Sequence, residues 1–123
     1  MAQRACVLIV DDEPGICQAI RLILELEGYA VATAASGAEA IDQAVVEPPS
    51  VILLDLGLPD ADGRQVQARL REIAPETPVV FMTAYHRVWR EAETHNAAGA
   101  LPKPFDVDGV LDTVGRFIPN PAP

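Results

Sequence analysis

A chain of 123 residues, half of them hydrophobic, has room for one domain with a buried core and for no second domain. The formal net charge of −9 excludes an extended nucleic-acid surface, because phosphate contacts require clustered Lys and Arg and the nine basic residues here are scattered. No apolar run approaches the roughly 18 residues of a membrane span, and a secretory signal pattern is absent, so we expect a cytoplasmic protein without direct membrane contact.

Short apolar runs rich in Val and Ile alternate with segments of helical period along the chain. This alternation predicts five βα units, with parallel strands joined by crossover helices. The fold class is therefore α/β, a doubly wound (βα)5 sandwich with helices on both faces of a five-stranded parallel sheet. The predicted strands cover residues 5–10, 30–34, 51–54, 78–82 and 98–102.

Local signals predict where the helices begin and end. Pro14, whose fixed φ suits a first helical turn, starts the first helix, and Gly28 follows its end. Ser36 and Glu39 form a capping-box pattern for the second helix, which Pro48-Pro49 ends.

Three more helices are predicted after the turn at residues 59–63, over residues 87–97, and after the cap Asp106. The Pro-rich residues 119–123 are expected to form a frayed, flexible tail. The residues expected on inner helix faces are Ile16, Ile20, Ile23 and Leu24; Ile41, Ala44 and Val45; Val66, Leu70 and Ile73; and Val110, Leu111, Val114 and Phe117.

Polar residues collect where the predicted strands end. Asp11 and Asp12 follow the first strand, Asp55 the third, Thr83 the fourth and Lys103 the fifth. In an open parallel sheet, ligands bind outside the carboxyl ends of the strands. Three carboxylates meeting there repel by about 4 kcal/mol per pair at 4 Å and a dielectric near 20, so a cation must offset them. Mg²⁺ prefers such hard oxygen ligands, and with Lys103 it makes the formal sum neutral.

This distributed pattern resembles the receiver domain of two-component response regulators over about residues 4–118. The acidic pair of that family matches Asp11-Asp12, its phosphoacceptor matches Asp55, and its hydroxyl residue matches Thr83. Its Lys-Pro pair matches Lys103-Pro104, and the residues of its loop after the phosphoacceptor match Pro59 and Gly63. The resemblance implies a flavodoxin-like sheet of order 2-1-3-4-5. It also implies a cis bond between Lys103 and Pro104.

The resemblance further implies that Asp12, Asp55 and the backbone carbonyl of Gly57 coordinate Mg²⁺, with Asp11 acting directly or through water. Asp55 would accept a phosphoryl group from a sensor histidine kinase or histidine phosphotransfer protein. Thr83 and Lys103 would then move toward the phosphate and switch the surface formed by the fourth helix, fifth strand and fifth helix. Such a domain assists its own phosphorylation and dephosphorylation and is not otherwise an enzyme. Its kinase and its downstream protein or output domain are unknown.

One position departs from the family pattern. Receiver domains usually carry Tyr or Phe three residues before the Lys, and this chain has Ala100 there. The interval from Thr83 to Lys103 is also slightly short for the family. Tyr85 and Trp89 are nearby rings for which packing or solvent-facing positions are favoured. A degenerate receiver that acts as a phosphorylation-independent protein-interaction module is therefore an open alternative.

Other interpretations compete for the same residues. An Asp-nucleophile phosphatase needs an acid two residues after its nucleophile, where this chain has Gly57. A flavin-binding module needs a phosphate loop rich in Ser, Thr and Gly after the first strand, and the acidic residues 11–13 would repel that phosphate. Taken singly, Asp12 could cap the first helix and Asp11 could be a loop acid.

Overall fold

A computed structural model describes residues 6–118, apart from the side chains of residues 85, 86 and 88. In this part of the chain, strands and helices alternate strictly. The strands are β1 (Cys6–Val10), β2 (Ala30–Ala34), β3 (Val51–Asp55), β4 (Val79–Ala84) and β5 (Gly99–Lys103). The helices are α1 (Pro14–Leu26), α2 (Gly37–Val46), α3 (Gly63–Ile73), α4 (Tyr85–Thr94) and α5 (Val107–Gly115).

The described strands form one parallel sheet of order β2-β1-β3-β4-β5, which confirms the predicted fold class and strand order. Every residue of β3 is buried, as expected for a central strand covered by helices on both faces. One core lies between the sheet and the inner faces of α2, α3 and α4, and the other lies under α1 and α5. Among residues 6–118, no helix has both the length and the apolar character needed to cross a bilayer.

Most of the predicted helix ends are confirmed. Pro14 is the first residue of α1, and Gly28 follows its end with a φ of 95°. Ser36 Oγ accepts a hydrogen bond from the Glu39 N–H at 3.1 Å, while the Glu39 carboxylate accepts from the Ala35 N–H rather than from Ser36. The Asp106 carboxylate accepts from an amide of α5, as the cap prediction required.

The predicted bounds of four elements, β3, β4, β5 and α4, were wrong. β3 includes Asp55, β4 continues to Ala84, and β5 ends at Lys103, so these strands carry the polar site residues rather than precede them. Helix α4 begins directly after β4, because the chain turns from strand to helix without a loop and Ala84 at the cap position makes no side-chain hydrogen bond. Local capping signals could not find this helix start. The predicted start of the first strand at Ala5 and the predicted tail at residues 119–123 lie outside the described residues.

The residues predicted to face the core are buried or half-buried in every helix except α2. Val45 is 61% exposed, and the buried residues of α2 are Gly37, Ala40 and Ala44. A Cβ at Gly37 would stand only 2.6 Å from Val66 Cγ2, so α2 lies too close to α3 for large side chains on that face. Small residues mark the inner face here because close packing, not hydrophobic size, decides it.

Candidate functional site

The three acids meet at the carboxyl end of the sheet because β1 and β3 are neighbours. Val10 pairs with Leu54, so Asp11 and Asp55 come next at the same edge. Asp11, Asp12 and Asp55 each offer a carboxylate oxygen, and these oxygens lie within 4.8 Å of one another. Asp11 and Asp55 are only 1% and 7% exposed, whereas Asp12 is exposed. The structure therefore brings together the predicted acid cluster and opens it to solvent on the side of Asp12.

Lys103 supplies the positive charge inside this cluster. It is the single lysine of the sequence, and it lies at the end of β5, two strands away from β3. Its Nζ lies 2.7 Å from Asp11 Oδ2 and 3.5 Å from Asp55 Oδ1. Burial alone would lower the pKa of Lys103, but Asp11 and Asp55 outweigh that effect, and its pKa lies above the ordinary value. The ammonium form is thus held against the acids.

Asp55 is under opposing electrostatic influences. Burial raises its pKa above the ordinary value, and repulsion from Asp11 raises it further. Lys103 and the Gly57 N–H, which donates to Asp55 Oδ1 at 3.3 Å, act in the other direction without cancelling the rise. The carboxylate of Asp55 is consequently a site at which an added cation would relieve unfavourable charge.

The loop after β1 leaves the carboxylate of Asp12 out of helix capping. The cap position of α1 falls on Glu13, whose side chain makes no capping hydrogen bond, so the interpretation of Asp12 as a cap is wrong. Asp11 instead accepts a hydrogen bond from the Glu13 N–H at 3.0 Å, which orients its carboxylate. A cleft of about 400 Å³ lined by Asp11 and Asp12, among others, opens beside the cluster. A small ligand therefore has access to the acids.

Thr83 and Lys103 lie at the carboxyl ends of two adjacent strands, Thr83 as the next-to-last residue of β4 and Lys103 as the last residue of β5. Asp55 pairs with Met82, so Thr83 is one residue further along β4 than the register position of Asp55. Ala84 pairs with Lys103, and the half-buried Thr83 thus lies next to the root of Lys103. The peptide bond between Lys103 and Pro104 is cis, as expected.

The segment from Leu56 to Asp62, here called the acceptor loop, is held in place at several points. The Leu56 N–H donates to the Met82 carbonyl at 3.1 Å, and the Gly63 N–H donates to the Leu56 carbonyl at 3.3 Å. A Cβ at Gly63 would stand 2.6 Å from Leu56 Cα, so only glycine lets the two ends of the loop touch. Asp62 caps α3 by accepting the Arg64 N–H at 2.9 Å.

Asp60 is a residue whose role the sequence did not indicate. Its two carboxylate oxygens accept the N–H groups of Gly37 and Ala38, at 2.9 and 3.1 Å, at the start of α2. These bonds lower the pKa of Asp60 below its ordinary value. The acceptor loop is thereby fastened to α2. An acid in a turn is too common a signal to predict a capping partner 23 residues away.

Ala100 occupies a buried position in β5, where receiver domains usually carry an aromatic residue. Ala100 is buried and pairs with Phe81 of β4, which is buried in the same core. Trp89 is half exposed on α4, in line with the favoured solvent-facing position, and the side chain of Tyr85 lies outside the described residues. The position that usually carries a Tyr or Phe in receiver domains therefore holds a buried alanine beside Phe81.

Comparison with known proteins identifies the family and the same fold. A family model described as the response regulator receiver domain matches residues 7–115. Sporulation initiation phosphotransferase F of Bacillus subtilis (strain 168) is 35% identical over 115 residues, which cover 92% of this chain and 93% of that protein. Transcriptional regulatory protein KdpE of Mycobacterium tuberculosis (strain ATCC 25618 / H37Rv) is 39% identical over 107 residues, which cover 85% of this chain but 47% of the relative. The chain thus spans about half the length of several transcriptional regulators that it matches.

Solved structures agree with this comparison. Chemotaxis protein CheY4 of Vibrio cholerae superposes with a TM-score of 0.83 at 32% identity, covering 94% of this chain and 99% of that chain. A putative response regulator from Chloroflexus aurantiacus J-10-fl superposes with a TM-score of 0.86 at 28% identity, covering 95% and 99%.

Proposed function

This chain belongs to the response regulator receiver domain family of two-component signalling, and from that membership we propose that Asp55 is its phosphoacceptor. The observation that carries the proposal is the group of three carboxylates within 4.8 Å of one another, with the only lysine of the sequence 3.5 Å from Asp55. The phosphoryl donor is a phosphohistidine on a sensor histidine kinase or on a histidine phosphotransfer protein.

The donor set fits Mg²⁺, the ion that receiver domains bind at an acidic pocket. Asp11, Asp12 and Asp55 offer hard oxygen ligands, and the exposed side of Asp12 leaves room for the waters that Mg²⁺ retains. The backbone carbonyl of Gly57 is the further ligand in this proposal. Bound there, the ion supplies positive charge for the carboxylates and for the oxygens of the transferred phosphoryl group.

The side chains of this site perform the transfer by positioning and charge. A carboxylate oxygen of Asp55 attacks the phosphorus and forms an O–P bond, while the N–P bond of the donor breaks and leaves its electron pair on the imidazole nitrogen. The Lys103 ammonium offsets charge on the phosphoryl oxygens. Asp11 keeps Lys103 in place through the 2.7 Å ion pair. Water later attacks the aspartyl phosphate, so the domain assists both steps without processing an external substrate.

Phosphorylation adds negative charge at a site whose three acids are balanced only by Lys103 together with a bound Mg²⁺. Thr83 lies near the end of β4, directly before α4, and Lys103 ends β5, shortly before α5. Their movement toward the phosphate therefore shifts the surface of α4, β5 and α5. The equilibrium changes only as far as the phosphate binds one conformer better than the other. A downstream protein or an output domain then reads that surface.

Buried Ala100 supports a second candidate, a receiver that binds its partner without phosphorylation. Intact mass after incubation with acetyl phosphate and Mg²⁺ separates the two candidates. We expect the wild type to gain one phosphate and Asp55→Asn to gain none. Asp42→Asn, a matched change of an exposed acid on α2, is the control and should label like the wild type. Equal labelling of the wild type and Asp55→Asn, or no label on either, would contradict the phosphoacceptor role.

A further inference from the structure

Helix α3 holds helix α4 through a row of polar side chains. Arg64, Gln67 and Arg71 are spaced three and four residues apart, so they follow one face of α3. Gln67 Nε2 donates to the His95 carbonyl at 3.1 Å, and Arg71 donates to the carbonyls of His95 and Asn96 at the end of α4. These carbonyls are among the groups that a helix end leaves without an internal partner, and α3 supplies their donors.

The first contact of this row is a two-point ion pair. Arg64 Nε lies 2.7 Å from Glu91 Oε2, and Arg64 Nη2 lies 3.1 Å from Glu91 Oε1. The two side chains are 27% and 18% exposed, whereas the Arg69–Glu72 pair on the same helix is 56% and 65% exposed. A planar guanidinium held at two points and partly withdrawn from water fixes direction as well as distance. The Arg64–Glu91 pair therefore differs in kind from an ordinary surface pair.

Arg64 is also tied to the acceptor loop. Its Nη1 lies 2.6 Å from Asp62 Oδ1, the same oxygen that accepts the Arg64 N–H. Gly63 touches Leu56, the residue directly after Asp55. A short covalent and packed route thus leads from Asp55 through Leu56 and Gly63 to the Arg64 side chain. Close-packed groups transmit displacement along such a route because there is no space to absorb it.

We propose that Arg64 is the positioning residue that couples the state of Asp55 to helix α4, acting through Glu91. This inference rests on the proposed function and deepens it. Ala100 carries no ring, so the β5 side of α4 lacks the aromatic side chain that receiver domains usually have at this position. The Arg64–Glu91 pair joins the acceptor loop to α4 from the opposite side, along α3. The interaction free energy between Arg64 and Glu91 differs between the unmodified and phosphorylated states, because a residue can couple two sites only if its contacts differ between the two states.

Trp89 makes the coupling measurable. It is the single tryptophan of the sequence and lies half exposed on α4, so its fluorescence reports on this helix. The experiment records Trp89 emission and amide exchange in residues 85–94 before and after acetyl phosphate and Mg²⁺, with intact mass giving the phosphorylated fraction of each sample. The variants are Arg64→Gln, Glu91→Gln and the charge swap Arg64→Glu with Glu91→Arg. Arg69→Gln, on the same helix but in the exposed pair, is the matched control.

We expect phosphorylation to change the exchange rate in α4 several-fold in the wild type and in Arg69→Gln. Arg64→Gln and Glu91→Gln should reach the same phosphorylated fraction, yet their α4 response should fall at least threefold. The charge swap should recover part of that response, which loss of folding could not produce. An α4 response that persists in Arg64→Gln, or a phosphorylated wild type without any α4 response, overturns the coupling and leaves the phosphoacceptor role standing. A wild type that takes no phosphate overturns both.

Discussion

Replacing Asp55 by Asn should make the metal-free protein more stable, although it removes the proposed phosphoacceptor. An oxygen of the Asp55 carboxylate lies within 4.8 Å of an oxygen of Asp11 and of one of Asp12. At an effective dielectric near 20, the two acids together repel the charge of Asp55 by about 7 kcal/mol. Lys103 at 3.5 Å offsets about 5 kcal/mol of this repulsion on the same scale. Solvent around the exposed Asp12 screens part of the remainder, so the expected gain is about 1–2 kcal/mol.

Thermal and urea unfolding, followed by circular dichroism, measure this gain. In EDTA, Asp55→Asn should unfold about 3–8 °C above the wild type for a chain of this size. Saturating Mg²⁺ should stabilise the wild type by about 2.7 kcal/mol at one hundred times its Kd, and Asp55→Asn by less, because the variant has lost one anionic ligand. The difference in Tm should therefore shrink or reverse in Mg²⁺.

A matched change of an exposed acid separates this effect from a general loss of negative charge. Asp42→Asn on α2 should shift the free energy of unfolding by no more than about 0.5 kcal/mol, in EDTA and in Mg²⁺ alike. The reasoning fails if Asp55→Asn unfolds below the wild type in EDTA. It also fails if Mg²⁺ raises the Tm of the wild type and of Asp55→Asn equally.

Two further predictions concern Gly63 and Arg64, the first two residues of α3. Gly63→Ala should cost about 1–3 kcal/mol of stability and weaken Mg²⁺ binding in a titration, because the new Cβ would stand 2.6 Å from Leu56 Cα. Gly15→Ala, whose Cβ would meet nothing within 4 Å beyond its chain neighbours and the backbone of its own helix, should instead stabilise α1 by up to about 1 kcal/mol. Similar losses of stability in both variants would contradict the steric reason. Hydrogen bonds from Arg64 hold the carboxyl pKa values of Asp62 and Glu91 below their ordinary 3.8 and 4.5. The two ionised carboxylates therefore stabilise the fold fully above these ordinary pKa values, and this stabilisation is lost as the pH falls through their lowered pKa values in the folded protein. Urea midpoints between about pH 6 and pH 3 should therefore fall less steeply in Arg64→Gln than in the wild type, and parallel curves would count against these pairs.

The periodicity of the sequence was sufficient to predict the fold class, and the residues at the strand ends were sufficient to place the three acids at one edge of the sheet. Val- and Ile-rich runs alternating with helical repeats predict a parallel sheet, and parallel strands bring their carboxyl ends to one edge. The sequence alone therefore placed Asp11, Asp12 and Asp55 at one edge of the sheet, where they meet only if the first and third strands are neighbours. The strand order came from the resemblance to receiver domains, since strand composition does not say which strands are neighbours.

Tertiary structure decided the contacts between segments that are distant along the chain. Lys103 reaches Asp11 across 92 positions, and Arg64 reaches Glu91 across 27. The close approach of α2 to α3 at Gly37 likewise appeared only in the folded chain. Hydrophobic period and capping signals are local, because they reflect the geometry of one helix or strand. Contacts between side chains of two different elements depend on how those elements pack against each other, and this packing is specified only in the folded chain.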